Sequence, residues 1–165
     1  MKKIYIIPGL GENCNAARYK VLIKALKAQG YAVKPVNPDW YRPVSEAIFP
    51  VEKSAVIFGF SMGAVVAYLV ARKYPCKKVI FASLSPIHTF SFKTYAKNLS
   101  SYMPHPLAEE LARDVKKIKV SLDKLNMPFI RLAGEHEKGI EGDFLIPKTG
   151  HYISRAYIKA ITKLV

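Results

Sequence analysis

The chain has 165 residues, the length of one domain, and half of them are hydrophobic, which is enough to bury a single core. No apolar run approaches the roughly 20 residues that span a bilayer, so we expect a soluble protein with no transmembrane segment. The 26 Lys and Arg against 12 Asp and Glu give a net charge of +14, but these basic residues are scattered and lack interleaved aromatic side chains, so no nucleic-acid partner is expected.

The two cysteines, Cys14 and Cys76, lack the paired spacing of a zinc site and are too few for a disulfide scaffold. Two reduced thiols are typical of a cytoplasmic protein. Met1-Lys2-Lys3 resembles the start of a signal peptide, but Pro8-Gly9 interrupts the apolar stretch that follows. We therefore expect a cytoplasmic location and no targeting segment.

The first half of the chain alternates short apolar runs with helical patterns. Lys3–Ile7 is an apolar run that ends in a Pro-Gly turn, which predicts a buried strand. Apolar residues at helical spacing predict an amphipathic helix from Asn15 to Gln29, and Tyr31–Val36 is typical of a second strand. Ala55–Phe58 predicts a third strand, which leads straight into an almost wholly apolar helix from Ala64 to Tyr74.

The second half continues the alternation. Three further strands are predicted at Val79–Ala82, Phe129–Ala133 and Phe144–Ile146, with helices at Leu107–Lys119 and Tyr152–Leu164. Strands that alternate with helices predict a parallel sheet with helices on both faces, joined by right-handed crossovers. The expected fold is therefore α/β, a single three-layer α/β/α domain over residues 1–165 with a mainly parallel sheet of about six strands.

Ligands of such sheets bind at the carboxyl ends of the strands. Three glycine-containing segments mark those ends here: Gly9–Gly11, Gly59–Gly63 and Gly134–Glu137. The second segment, Gly-Phe-Ser-Met-Gly, matches G-x-S-x-G, in which a serine stands on a strained turn between a strand and a helix. It lies between a predicted buried strand and a predicted buried helix, so Ser61 is the candidate nucleophile.

A serine hydroxyl needs a base to take its proton, and the base must be oriented by a carboxylate. His151 is the candidate base, because it lies on a loop after the last predicted strand and immediately precedes the final helix. His88, His105 and His136 do not lie in such a loop, and a surface or capping role is favoured for them.

These motifs resemble those of the α/β-hydrolase fold family, particularly its small esterase-like members without a cap domain, over nearly the whole chain. Ile7-Pro8-Gly9-Leu10-Gly11 is similar to the family's H-G-x-G oxyanion segment, with Pro8 in place of the histidine. The order nucleophile, acid, histidine is also that of the family. The resemblance implies that the backbone amides of Leu10 and Met62 form an oxyanion hole.

The family places its acid just after the strand that precedes the histidine loop, often as G-x-x-D. Gly134-Glu135-His136-Glu137 puts a glutamate there, which implies Glu137 as the acid. Fourteen positions separate Glu137 from His151, so the helix that usually lies between them is expected to be absent. Glu135, Glu141 and Asp143 remain alternatives, and Glu137 is otherwise a solvated loop charge.

Two further segments near the expected site allow more than one interpretation. Glu12 and Asn13 either brace the oxyanion loop in place of the missing family histidine or only cap the next helix. The aromatic segment from Phe90 to Met103 either lines an acyl pocket, forms part of a small lid or insertion over residues 85–120, or packs on the sheet.

The resemblance implies a serine hydrolase that acts on a carboxylic ester or thioester through an acyl-enzyme, with a small ester-like molecule as its substrate. Such a mechanism needs no metal or organic cofactor. Two alternatives are kept. Gly9-Leu10-Gly11 also resembles the start of the dinucleotide fingerprint G-x-G-x-x-G, although Cys14 occupies the position of its last glycine. A hydrolase-fold protein without catalysis would be a binding or interaction module, which an unfilled acid position would favour.

Overall fold

The structure is a computed structural model that describes residues 2–87 and 90–165. Its strands are β1 (Lys3–Ile7), β2 (Ala32–Pro35), β3 (Val56–Phe60), β4 (Lys78–Ala82), β5 (Phe129–Gly134) and β6 (Phe144–Ile146). They form one sheet in the order β2-β1-β3-β4-β5-β6, and every neighbouring pair is parallel. The expected parallel α/β sheet of six strands is confirmed.

Five α-helices connect and cover the strands. They are α1 (Ala17–Ala28), α2 (Met62–Lys73), α3 (Phe92–Leu99), α4 (His105–Lys117) and α5 (Arg155–Leu164). Short 3₁₀ helices lie at Val44–Ala47 and Leu122–Lys124. Within the described residues, no helix is long and apolar enough to cross a membrane.

Alternate residues of the strands pack into two separate hydrophobic cores, one on each face of the sheet. Ile57 belongs to the core that contains the buried residues of α2, α3 and α4, whereas its neighbours Val56 and Phe58 belong to the core that contains those of α1 and α5. Because successive strand residues point to opposite faces, a continuous apolar strand needs helices on both sides. The three-layer arrangement follows from this requirement.

The sequence did not predict α3. This helix begins after Ser91, whose hydroxyl accepts a hydrogen bond from the Thr94 amide at 3.2 Å. It buries Tyr95, Ala96 and Leu99 and packs against α4. An eight-residue helix gives a short periodic signal, and most of its stability comes from packing rather than from propensity. Tertiary contact with α4 therefore decides its conformation.

The junction between β3 and α2 is tighter than the sequence pattern predicted. The strand continues to Phe60 and the helix begins at Met62, so that Ser61 alone lies between them. A Cβ atom on Gly59 would lie 2.6 Å from the Gly63 carbonyl carbon, and one on Gly63 would lie 2.8 Å from the Ile7 carbonyl carbon. The two motif glycines thus allow α2 to lie directly against the backbones of β3 and β1.

We expect Gly63→Ala to lower the free energy of unfolding by about 2 to 3 kcal/mol, because the new methyl group meets backbone atoms of β1 that cannot rotate away. Gly150→Ala is the matched control, since its Cβ atom would find its nearest neighbour, a ring carbon of Tyr152, at 3.9 Å. Urea unfolding followed by circular dichroism measures both changes. Equal stability of the two variants would contradict the close approach of α2 to β1.

Candidate active site

Ser61 stands on the strained turn between β3 and α2. Its backbone has φ 54° and ψ −119°, in the region of positive φ that residues other than glycine rarely adopt. The Ser61 amide donates to the Ala82 carbonyl at the end of β4, at 2.8 Å. This bond continues the β3–β4 ladder by one residue and holds the strained turn in place, so the serine side chain has a defined position at the carboxyl edge of the sheet.

The structure brings Ser61, His151 and Glu137 together in one hydrogen-bonded chain. Nε2 of His151 lies 2.8 Å from Oγ of Ser61, and Nδ1 of His151 lies 2.5 Å from Oε1 of Glu137. An ionised carboxylate can only accept hydrogen bonds. Nδ1 therefore carries the proton and donates a hydrogen bond to Glu137. That tautomer leaves Nε2 with a lone pair, which accepts the hydrogen bond of the serine hydroxyl.

Backbone bonds join the loop after β5 (residues 135–143, the acid loop) to the end of β6 and to the loop before α5 (residues 147–154, the histidine loop). The amide of Glu135 donates to Ile146 O at 2.9 Å, and the amide of His136 donates to Thr149 O at 2.9 Å. Between Glu137 and His151 the structure has turns and the three-residue strand β6. No helix lies between these two residues, as the sequence predicted. The short connection therefore works because the acid loop and the histidine loop are hydrogen-bonded to each other.

Glu137 is held from three sides. Its side chain is only 2% exposed, and besides His151 it accepts hydrogen bonds from the Gly134 amide and from the Ser83 hydroxyl, the latter at 2.7 Å. Burial by itself raises the pKa of a carboxyl group, but the hydrogen bonds from His151, Gly134 and Ser83 outweigh it and hold the pKa of Glu137 below its ordinary value. Glu137 is accordingly ionised at neutral pH.

Ser83 is a residue of this site that the sequence analysis missed. It follows β4 directly, is fully buried, and has a φ of 49°. Its hydroxyl lies 2.7 Å from both Glu137 Oε2 and the Tyr157 hydroxyl. The position of Ser83 could have indicated its role, because it directly follows β4, the strand next to the one that Ser61 follows. However, a serine after an apolar run has no distinctive sequence motif.

The alternative acids have other partners. Oε2 of Glu135 accepts the Lys148 amide at 2.8 Å. Glu141 and Asp143 both pair with the Arg131 guanidinium, at 3.0 Å and 2.8 Å. These contacts stabilise the connection around β6 and leave Glu137 as the carboxylate in contact with His151.

The other histidines lie elsewhere or are not described. His105 is exposed at the first turn of α4, and His136 is exposed in the acid loop, where its amide bonds the histidine loop. His88 lies outside the described residues. The part of the chain that the structure describes has no group of three or more His, Cys, Asp or Glu side chains arranged to hold a metal ion.

The two amides expected at an oxyanion hole border the same cavity as Ser61 and His151. This cavity has a volume of about 430 Å³, and Leu10 and Met62 both line it. Met62 is the first residue of α2, so its amide has no carbonyl partner within the helix, and the positive end of the helix dipole lies beside Ser61. The position of Met62 is therefore suited to a negatively charged oxygen.

Glu12 braces the loop after β1. The Tyr19 hydroxyl donates to Glu12 Oε2 at 2.5 Å and accepts the Gly9 amide at 3.3 Å, while Arg18 pairs with Glu12 Oε1 at 2.7 Å. Of the two interpretations of Glu12, the structure therefore shows the bracing contact. Asn13 instead accepts the amide of Asn15 at 2.8 Å, within its own turn.

The aromatic segment lines the cavity rather than only packing on the sheet. Side chains of α3 and its flanks form one wall, namely Phe90, Tyr95, Leu99 and Tyr102. Burial raises the pKa of Tyr95 to about 12, so its hydroxyl stays protonated, and it donates to Sδ of Met62 at 3.0 Å. This contact ties α3 to the first residue of α2, next to Ser61.

The position of Cys14, where a dinucleotide fingerprint has its last glycine, is occupied by a packed side chain. Cys14 is 2% exposed, and its amide donates to the Asn37 side chain at 2.8 Å. Asp39, the acid nearest to the end of β2, accepts the Tyr41 amide within its own turn at 3.1 Å. The packed Cys14 side chain therefore lies where a dinucleotide site has a glycine that allows close packing of helix and strand.

No protein-family model and no curated protein matches this sequence. Solved structures are similar in fold along almost the whole chain. Alpha/beta hydrolase domain-containing protein 10 from mouse has a TM-score of 0.68 at 14% identity, over 98% of this chain and 87% of that chain. Est1E from Butyrivibrio proteoclasticus has a TM-score of 0.68 at 14% identity, over 99% and 84%. Human thioesterase 2 has a TM-score of 0.65 at 14% identity, over 99% and 93%.

The similar structures are hydrolases. At 12% to 15% identity in the alignments that cover nearly the whole chain, the similarity is one of fold. Together with the order and direction of its six strands, this similarity establishes that the chain has the α/β-hydrolase fold in a minimal version.

Proposed function

We propose that the protein is a serine hydrolase that cleaves a carboxylic ester or thioester through an acyl-enzyme. Ser61 is the nucleophile, His151 the general base and Glu137 the acid that orients it. The observation that carries this proposal is the continuous hydrogen-bonded chain from Ser61 Oγ through His151 to the buried Glu137 carboxylate. This is the relation between nucleophile, base and orienting acid that acyl transfer requires.

In the first step, Ser61 Oγ attacks the substrate carbonyl carbon while Nε2 of His151 takes the hydroxyl proton. The resulting oxyanion lies toward the amides of Leu10 and Met62, and each such donor is worth about 3 kcal/mol in the transition state. Glu137 stabilises the protonated imidazole. The imidazole then passes its proton to the leaving alcohol or thiol, and the carbonyl re-forms as the ester of Ser61.

In the second step, water attacks the acyl-enzyme while His151 takes one of its protons. The tetrahedral intermediate collapses, the bond between the acyl carbon and Ser61 Oγ breaks, and His151 returns the proton to the serine. The products are a carboxylic acid and the regenerated enzyme, and no redox partner is needed.

A carboxylic ester or thioester of modest size suits the cavity. Its volume of about 430 Å³ is in the range of pockets for small molecules. The apolar wall from Phe90 to Tyr102 suits an acyl chain. Esters and thioesters share the same carbonyl chemistry, and human thioesterase 2 has a similar fold.

The alternative of a binding module without catalysis is less well supported. An unfilled acid position would favour this alternative. Instead, Glu137 lies at that position, and its side chain is hydrogen-bonded to His151. A binding module without catalysis predicts that Ser61 does not react with a serine-directed probe, and the following experiment tests this.

The purified protein should react with a fluorophosphonate probe, and Ser61→Ala should abolish the labelling. Ser101→Ala, on the exposed turn after α3, is the control and should label like the wild type. In hydrolysis of 4-nitrophenyl butyrate, His151→Ala should lower kcat by about a thousandfold and Glu137→Gln by about a hundredfold or more. A folded wild-type protein that is not labelled would refute the proposal in favour of the binding module.

Ser83→Ala should lower kcat about tenfold with little change in KM, because Glu137 loses a hydrogen bond that positions it but not its contact with His151. Tyr157→Phe should have a smaller effect, since the Ser83 hydroxyl can still donate to Glu137. The label should remain on Ser61 in both variants but form more slowly. An unchanged kcat in Ser83→Ala would contradict a positioning role.

Because the pKa of Glu137 is lower in the folded chain than in the unfolded chain, its ionised form stabilises the fold above about pH 4.5. That contribution should be lost as the pH falls through the lowered pKa. Urea unfolding should therefore show wild type more stable than Glu137→Gln at pH 7, and the difference should shrink as the pH is lowered below 4.5. A difference that is independent of pH would show that the carboxylate is not stabilised in its ionised form.

A further inference from the structure

Charged side chains are unevenly paired around the cavity that contains Ser61. Besides His151, three charged residues line it: Glu12, Arg18 and Lys138. Arg18 forms an ion pair with Glu12 at 2.7 Å, and Glu12 also accepts the Tyr19 hydroxyl. The charges of Glu12 and Arg18 thus balance each other, which leaves Lys138 as a positive charge at the cavity without a counter-charge.

Lys138 has no partner in residues 2–87 and 90–165, although three acids lie within three positions of it in the sequence. Glu135 accepts the Lys148 amide, Glu137 is enclosed with His151 and Ser83, and Glu141 pairs with Arg131. No hydrogen bond or ion pair of the Lys138 side chain is present in the described chain. Lys138 is an exposed residue, and it lines the cavity that contains Ser61.

Lys138 directly follows Glu137 and precedes Gly139, which has a φ of 75°. The acid loop that orients His151 therefore also carries the unpaired ammonium group. The same cavity is lined by the apolar wall made by Phe90, Tyr95, Leu99 and Tyr102. The cavity thus offers both an apolar surface and a positive charge to a molecule bound near Ser61.

We propose that the substrate is an anionic ester or thioester, with an apolar portion against the α3 wall and a carboxylate or phosphate group bound by Lys138. This inference rests on the proposed hydrolase function and specifies its substrate class. The negative group can belong to the acyl part or to the leaving part. A lysine ammonium binds such a group as a point charge with three donors, which allows either arrangement.

Two pairs of matched esters test the proposal. The mono-4-nitrophenyl ester of adipic acid and 4-nitrophenyl hexanoate have the same acyl length and differ by a carboxylate on the acyl part. 4-Carboxyphenyl butyrate and phenyl butyrate differ by a carboxylate on the leaving part. In at least one pair the anionic ester should have a kcat/KM about fivefold higher, which is the order expected for a partly exposed charge pair. The gain should appear in KM, because the same contact is made in the ground state and the transition state.

Lys138→Met should reduce the ratio of anionic to neutral ester to about one, and Lys138→Glu should invert it. Lys97→Met is the matched control, because Lys97 is exposed on α3, does not line this cavity, and its loss lowers the net charge equally. The control should keep the wild-type ratio. It thus separates a local contact from general attraction by the net charge of +14.

The outcomes distinguish this inference from the proposed function. Hydrolysis of the neutral esters without preference in either pair, or a preference that persists in Lys138→Met, would overturn the anionic substrate and leave the hydrolase intact. If Ser61 is not labelled and no ester is cleaved, calorimetry of monobenzyl adipate and of 4-carboxyphenyl butyrate with the Ser61→Ala protein still decides. Binding of either that Ser61→Ala/Lys138→Met loses and Ser61→Ala/Lys97→Met keeps would support the anion site, and no binding of either would overturn it.

Discussion

A carboxylate that is almost completely removed from water must be supplied with hydrogen bonds, because an unpaired buried charge costs several kcal/mol. Glu137 meets this requirement from three places in the chain: the Ser83 hydroxyl after β4, the Gly134 amide at the end of β5, and the His151 ring on the loop before α5. Satisfying one buried charge therefore ties together the ends of neighbouring strands and the last loop. The position of the His151 ring over Ser61 follows from the same set of bonds.

The minimal size of the domain makes these bonds more important. With no helix between Glu137 and His151, the connection depends on β6 and on the backbone bond from His136 to Thr149. Gly134 allows the loops to approach this closely, since a Cβ atom there would lie 2.8 Å from the Gly150 carbonyl oxygen. The loop after β1 is likewise braced by the hydrogen bonds of Tyr19 with Glu12 and Gly9. Local hydrogen bonds thus take the place of larger structural elements.

The apolar and the charged residues that line the cavity come from different parts of the chain. The apolar wall belongs to α3 and the segments beside it, which pack against α4 and are joined to α2 by the bond from Tyr95 to Met62. The charged groups belong to the loop after β1, to the first turn of α1 and to the loop between β5 and β6. The hydrogen bonds from Ser61 through His151 to Glu137 involve neither Lys138 nor a side chain of α3. The proposed specificity and the proposed acyl-transfer chemistry therefore rest on different residues.

The sequence by itself determined the sheet, because apolar runs bounded by glycine and proline are a local signal; β1 and β6 were predicted at the bounds that the structure has. It also singled out Ser61 through G-x-S-x-G, since the steric demands of the turn are met by neighbouring residues. The choice of Glu137 over Glu135, Glu141 and Asp143 rested on resemblance, and the contacts of those acids are decided by the fold. Only the tertiary structure shows Ser83, α3 and the unpaired Lys138 at the cavity. The roles of Ser83 and α3 depend on partners far away in the sequence. Whether the folded chain leaves Lys138 without a partner cannot be predicted from a local sequence pattern.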